Sequence, residues 1–133
     1  MCFEDEFMDK QSEIISLYKE VATAKSEQLY VYIYNDDFQS LIVTAYRVDD
    51  KVVGNVEAGV SDESDEKIYD IIIEEIIPEL NEICRRYDRE IPIVFKYTYN
   101  LKTGSFDAEY LYAKDVDEDY ECGSEGLKWI KSR

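Results

Sequence analysis

The sequence predicts an α+β fold: a mostly antiparallel five-stranded sheet with two main helices packed on one face and a short C-terminal helix. Three observations carry this. Residues 4–24 and 61–87 repeat apolar side chains at three- and four-residue steps, the period of a helix. Five other segments alternate at period two and are rich in β-branched and aromatic residues. Most of the strands are joined by short Asn-, Asp- or Gly-containing turns, which suit antiparallel neighbours because a parallel crossover needs a dozen residues or more. At 133 residues, 45% of them apolar, a single domain over 1–133 is expected, with a packed core.

In the first helix Phe7, Gln11, Ile14, Tyr18 and Val21 form the stripe, widened by Ile15 and Ala22. Glu4, Asp5, Glu6 and Asp9 occupy its first turns, where the helix dipole favours acids. Residues 29–34, Leu-Tyr-Val-Tyr-Ile-Tyr, form the clearest strand. Leu29, Val31 and Ile33 face one side, and Tyr30, Tyr32 and Tyr34 the other. Asn35-Asp36-Asp37 is turn chemistry. Residues 40–48 form a second strand, Asp49-Asp50 turns the chain, and 51–57 form a weaker third strand containing Gly54.

Ser61 to Glu66 starts the long helix, with a serine cap and acids in the first turn. Tyr69, Ile73, Ile76, Leu80, Ile83 and Tyr87 keep its period, with Ile72 and Cys84 alongside. Pro78 lies inside it and predicts a kink or break near Glu74 to Pro78. Residues 93–99 and 105–113 form the last two strands around an Asn100–Gly104 turn, with Gly104 expected at positive φ. The fifth strand sets Phe106, Ala108, Tyr110 and Tyr112 on one face. Residues 124–131 close the chain as a short helix whose Trp129 is expected to plug the core.

Composition narrows the function classes. The chain has no histidine and a formal net charge of −16. Histidine-based triads, His-metal sites and imidazole acid–base schemes are excluded. With 31 acidic residues, some carboxylate pair always falls at a plausible spacing, so such pairs carry no signal for hydrolysis. The expectation is a protein that is not an enzyme and needs no cofactor. Its acidity repels nucleic acid and anionic membranes and suits a basic protein partner. Cys2, Cys84 and Cys122 are odd in number and lack metal-like spacing. The acidic N-terminus is unlike a signal peptide, and no apolar run reaches the ~20 residues that span a bilayer. A cytoplasmic location is expected.

The sharpest local pattern is Asp115-Val116-Asp117-Glu118-Asp119-Tyr120-Glu121. It resembles the opening of an EF-hand loop, but that loop's sixth and twelfth positions require Gly and Glu, and Tyr120 and Gly126 stand there. A solvated acidic loop is the commoner outcome for such a run, a calcium- or metal-responsive module of another kind is the alternative reading, and an acidic recognition loop is the third. If extended, the run would project Asp115, Asp117, Asp119 and Glu121 to one side. The candidate partner-binding residues are therefore Asp115, Asp117, Glu118, Asp119, Tyr120 and Glu121, with Tyr120 as the aromatic anchor. Asp62, Glu63, Asp65 and Glu66 come second, because helix capping accounts for most of that cluster. Most of the twelve tyrosines are read as a packed or half-exposed sheet face.

The C-terminal third adds a resemblance. Gly104-Ser105-Phe106-Asp107-Ala108-Glu109-Tyr110-Leu111-Tyr112 is followed by an acid-rich loop and then Lys128-Trp129-Ile130-Lys131. This pattern resembles the YezG-like immunity protein family, in which a glycine-x-phenylalanine strand with alternating tyrosines leads through an acidic loop to a terminal tryptophan. The resemblance implies a small cytosolic protein that binds and neutralises a toxin domain made by a neighbouring gene, commonly a nuclease delivered between competing bacteria. It carries over no individual functional residue.

Overall fold

The computed structural model describes residues 2–133. The chain runs α1 (Phe3–Val21), β1 (Gln28–Asn35), β2 (Ser40–Val48), β3 (Lys51–Val53) and a one-turn helix α2 (Asn55–Ala58). It continues through α3 (Asp62–Ile71), a π-helical turn (Ile72–Ile76), α4 (Ile77–Arg86), β4 (Val94–Asn100), β5 (Phe106–Leu111), a 3-10 turn (Ala113–Asp115) and α5 (Cys122–Lys131). The five strands lie in the order β3-β2-β1-β4-β5, and every neighbouring pair is antiparallel.

The turns follow from their residues. Asp49 and Asp50 both take positive φ, 51° and 62°, and Val48 pairs with Lys51. This is the two-residue hairpin whose left-handed pair Asp tolerates better than most side chains. Gly104 sits at φ 79° as expected, and its N–H bonds back to the Asn100 carbonyl. β3 is shorter than predicted. The chain leaves the sheet after Val53, and Gly54 becomes the N-cap of α2.

Pro78 does not break the long helix. It has no N–H to give to the Glu74 carbonyl, and its ring crowds that carbonyl. The backbone widens just before it: the Ile77 N–H reaches back to Ile72 O, an i→i−5 bond. The helix then resumes as α4, with the proline in its first turn.

β1 is the centre of the molecule. Leu29 to Tyr34 are all buried, so the alternation read from the sequence separates two covered faces rather than an inside from an outside. On one face Leu29, Val31 and Ile33 pack with α1 and the α3–α4 helix through Ile14, Tyr18, Ile72 and Leu80. Gln11, in the α1 stripe, is fully buried. Its Oε1 accepts from the Tyr97 hydroxyl at 2.6 Å, and its Nε2 donates to Tyr110 at 2.8 Å. A polar residue on an apolar stripe is thereby satisfied.

On the other face α5 lies over Tyr30, Tyr32 and Tyr34. Cys122 and Ile130 of α5 are buried there, while Trp129 is only half-buried against Tyr30 and Tyr32. Trp129 is a lid over the tyrosines rather than a core plug. Tyr112 lies beyond the end of β5, so it does not share a strand face with Tyr110. Cys84 is a buried free thiol, and burial pushes its pKa up.

Candidate functional site: the acidic end of the sheet

The loop that follows β5 is not extended. Ala113–Asp115 forms a 3-10 turn in which the Asp115 carboxylate accepts from its own Tyr112 N–H at 2.9 Å. Asp117 Oδ1 accepts from the Asp119 N–H at 3.0 Å, and the Tyr120 N–H bonds to Asp117 O. The row of acids that an extended run would make of 115, 117, 119 and 121 therefore does not form. Aspartates compete for nearby backbone donors, and two of these fold the loop on itself. All five carboxylates, at 115, 117, 118, 119 and 121, are still solvent-exposed.

Tyr120 is not an outward anchor. Its ring stacks on Tyr34 with centroids 6.1 Å apart, and its hydroxyl shares a 2.6 Å hydrogen bond with Tyr32. It ties the loop to the tyrosine face just ahead of α5. Burial pushes the Tyr120 hydroxyl above its usual pKa, with the Tyr32 bond acting against it. Tyr32, fully buried, lies well above its usual range, first through burial and then through the bond to Tyr120.

The contact with Tyr34 brings in a segment that sequence reasoning treated only as a turn. Asp36 Oδ1 accepts from the backbone N–H groups of Phe38 at 2.7 Å and Gln39 at 2.8 Å, and Asp36 Oδ2 accepts from the Tyr34 hydroxyl. Burial pushes the Asp36 carboxyl up, but these three bonds outweigh it and hold the group below its ordinary pKa. The turn is therefore rigid at its base and presents Phe38 at its tip, 95% exposed. No other large apolar side chain among the described residues is as exposed. A cleft of about 350 Å³ joins the two segments, lined by Asp36, Asp37, Ala113 and Val116 with Asn81 and Arg85.

One end of the sheet thus carries both loops, with Asp36, Asp37 and the exposed Phe38 on one and Asp115, Asp117, Glu118, Asp119 and Glu121 on the other. Among the described residues none of these carboxylates has a basic side chain within salt-bridge distance. Some acids elsewhere are paired: Glu6 with Arg86 at 2.7 Å, Glu79 and Glu13 with Lys10, Glu4 with Arg89, and Glu109 with Lys96. Glu6 also accepts from the Tyr87 hydroxyl. Two signals in the sequence could have found Phe38: an aromatic next to Asp36-Asp37, and its position between two strands.

The second predicted cluster lies elsewhere. Ser61 Oγ accepts from the Ser64 N–H at 3.1 Å, so the capping reading holds. Asp62, Glu63 and Asp65 fall in the first turn of α3, and Glu63 pairs with Lys67. Asp65 is half-buried. Burial pushes its carboxyl up, against a hydrogen bond from Asn55, with Asp62 and Glu66 adding to the rise. Through Ile68, α3 packs on the helical face, whereas Tyr120 packs on the face under α5. Asp62, Glu63, Asp65 and Glu66 therefore do not converge with the 115–121 loop.

Among the described residues no group of three or more His, Cys, Asp or Glu side chains is placed to hold a metal ion, and no helix is long and apolar enough to cross a membrane. In comparisons with protein-family models and with curated proteins, the sequence matches none.

Proposed function

We propose that the protein is an immunity-type inhibitor that binds a basic toxin domain, most simply a nuclease, and covers its substrate cleft with the acidic end of the sheet. One observation carries the reading: seven carboxylates without an ion pair among the described residues lie in the two loops at the end of the sheet that also presents the exposed ring of Phe38. A nuclease cleft must attract a polyanion, so it carries positive potential, and an acidic inhibitor is drawn to the same field. Such steering raises association rates toward roughly 10⁸–10⁹ M⁻¹s⁻¹ at low salt. Charge at an exposed rim does little to slow dissociation, whereas a desolvated aromatic at the centre of a patch does. Phe38 takes the anchoring role that the sequence assigned to Tyr120. The resemblance of residues 104–131 to YezG-like immunity proteins, the absence of histidine and the charge of −16 point the same way.

The test is co-expression with the basic nuclease domain encoded by the neighbouring gene. The wild-type chain should restore growth, and Phe38→Ala combined with Asp37→Asn and Asp119→Asn should not. No rescue by soluble wild-type protein, or undiminished rescue by the soluble triple variant, overturns the assignment. Competition with a non-cleavable oligonucleotide examines the cleft itself, because simultaneous binding contradicts blocking.

A further inference from the structure

The two edges of the sheet differ. The β3 edge is three residues long, and the chain turns from it into α2. The β5 edge is six residues long, and among the described residues no strand pairs with its outer side. In the β4–β5 ladder the Asn100 N–H donates to Ser105 O at 2.8 Å. By the alternation of an antiparallel pair, the main-chain groups of Asp107, Glu109 and Leu111 then face β4, and those of Phe106, Ala108 and Tyr110 face outward.

The two faces beside this edge have different chemistry. On the helical face Phe106, Ala108 and Tyr110 join the core. Next to Tyr110 opens a pocket of about 440 Å³, walled by Phe3, Phe7, Met8 and Tyr112 over Gln11. Tyr110 and Gln11 are locked by the bonds described above, so this part of the wall exists before any ligand arrives. At the mouth Arg89 lies 4.5 Å from the Phe3 ring centre and pairs with Glu4, and Lys114 pairs with Glu90. The mouth is charge-balanced, and the interior selects for apolar or aromatic groups. On the opposite face β5 presents exposed Asp107 and Glu109.

We propose that the β5 edge is a strand-docking site for an extended segment of the partner in which apolar and basic residues alternate. The outward main-chain groups of Phe106, Ala108 and Tyr110 would extend the ladder. Every second side chain would lie on the helical face, one of them entering the aromatic pocket, and the intervening basic side chains would meet Asp107 and, in competition with its Lys96 pair, Glu109. The inference rests on the reading that the partner is a basic protein. Charge also argues against self-pairing: a second β5 would set Asp107 and Glu109 against their own kind, which is unfavourable across neighbouring strands.

The probe is an acetylated and amidated peptide, Lys-Phe-Lys-Val-Lys-Phe-Lys, titrated into isotope-labelled full-length chain. The amides of Phe106, Ala108 and Tyr110 should shift, and their hydrogen exchange should slow at least about tenfold. Ala108→Pro removes an outward N–H that the β4 ladder does not use, and edge strands tolerate proline. It should weaken binding by about tenfold or more. A control peptide of the same composition with its alternation broken should bind more weakly by a similar factor.

Unmoved edge amides, equal binding of the control, or full affinity in a folded Ala108→Pro variant overturns the proposal. If that variant does not fold, amide mapping on the wild type decides. A dimer in sedimentation that Ala108→Pro dissolves would overturn the chosen occupant. Perturbation confined to Asp36–Phe38 and 115–121 would refute strand docking and leave the acidic-end reading standing. Edge binding together with failed growth rescue would do the reverse.

Discussion

Gly126 is where the structure makes its most quantitative demand. It lies on the inner side of α5, and a Cβ built there would stand 2.8 and 2.9 Å from Tyr32 Cδ1 and Cε1 and 3.2 Å from Val43 Cγ2. Ordinary carbon contacts are about 3.5–4.0 Å, so Gly126→Ala requires the helix and the ring to separate by roughly 0.7 Å or more. Tyr32 has little freedom to yield. It is fully buried, bonded through its hydroxyl to Tyr120, and packed by Trp129. Overpacking of this kind costs about 1–3 kcal/mol. Alanine returns up to ~1 kcal/mol of helix propensity. With the full offset the net expectation is destabilisation by up to about 2 kcal/mol.

With a urea m-value of about 1–3 kcal/mol/M, that lowers the midpoint by up to ~1 M. Trp129, the sole tryptophan, sits on α5 and reports the transition by fluorescence. Gly123→Ala, in the same helix, is the control, because its Cβ would meet nothing within 4 Å. It should be neutral or stabilising by up to ~1 kcal/mol. A Gly126→Ala midpoint above that of the wild type, or identical behaviour of the two glycines, refutes close packing of α5 on the tyrosine face.

Two further outcomes are expected. Tyr120→Phe keeps the stack on Tyr34 and removes the bond to Tyr32, so it should cost about 0.5–1.5 kcal/mol of stability. An unchanged urea midpoint would mean that this bond contributes nothing. The alkaline limb of stability follows from Tyr34, pushed up to about 12 by its bond to Asp36 and by burial, and Tyr46, pushed up to about 12 by burial. Their unfolded values lie near 10. A folded pKa raised above the unfolded one means that the contribution is complete below pH ~10 and is lost as pH rises toward about 12. Tyrosinate absorbance should therefore rise in part near pH 10 and complete only with unfolding, followed by circular dichroism. Reversible titration of all twelve tyrosines near pH 10 with the fold intact would contradict this.

Much of the fold was legible because its determinants are local. Periods of 3.6 and 2, the Ser61 cap, the Asp49-Asp50 hairpin and Gly104 each act within a few residues, and each appears where expected. Where the sequence pattern leaves a choice open, either a tertiary partner or a competing local hydrogen bond decides it. The Tyr30, Tyr32 and Tyr34 face reads from the sequence as packed or half-exposed, and α5 with Tyr120 decides for packed. The 115–121 run would make a row of acids only if extended, and instead Asp115 and Asp117 accept from the nearby backbone N–H groups of Tyr112 and Asp119. Residues 55–57 continued a strand pattern, and the chain instead left the sheet at a glycine.

The charge can be weighed in the same way. Many carboxylates are absorbed by structure: at helix starts, in ion pairs with Lys10, Arg86 and Arg89, and at turns through Asp36, Asp115 and Asp117. Asp37, Glu118, Asp119 and Glu121 are exposed and have neither an ion pair nor a side-chain hydrogen bond among the described residues. Their mutual repulsion is screened over about 8 Å at physiological salt, so it opposes folding only weakly. The same screening would act on their attraction to a basic surface at long range, and far less once that surface excludes water. Four such carboxylates at the end of the sheet that also presents the exposed Phe38 are therefore of little use to the isolated fold and, on the proposed reading, of use at contact. This asymmetry favours a binding surface over a merely solvated loop.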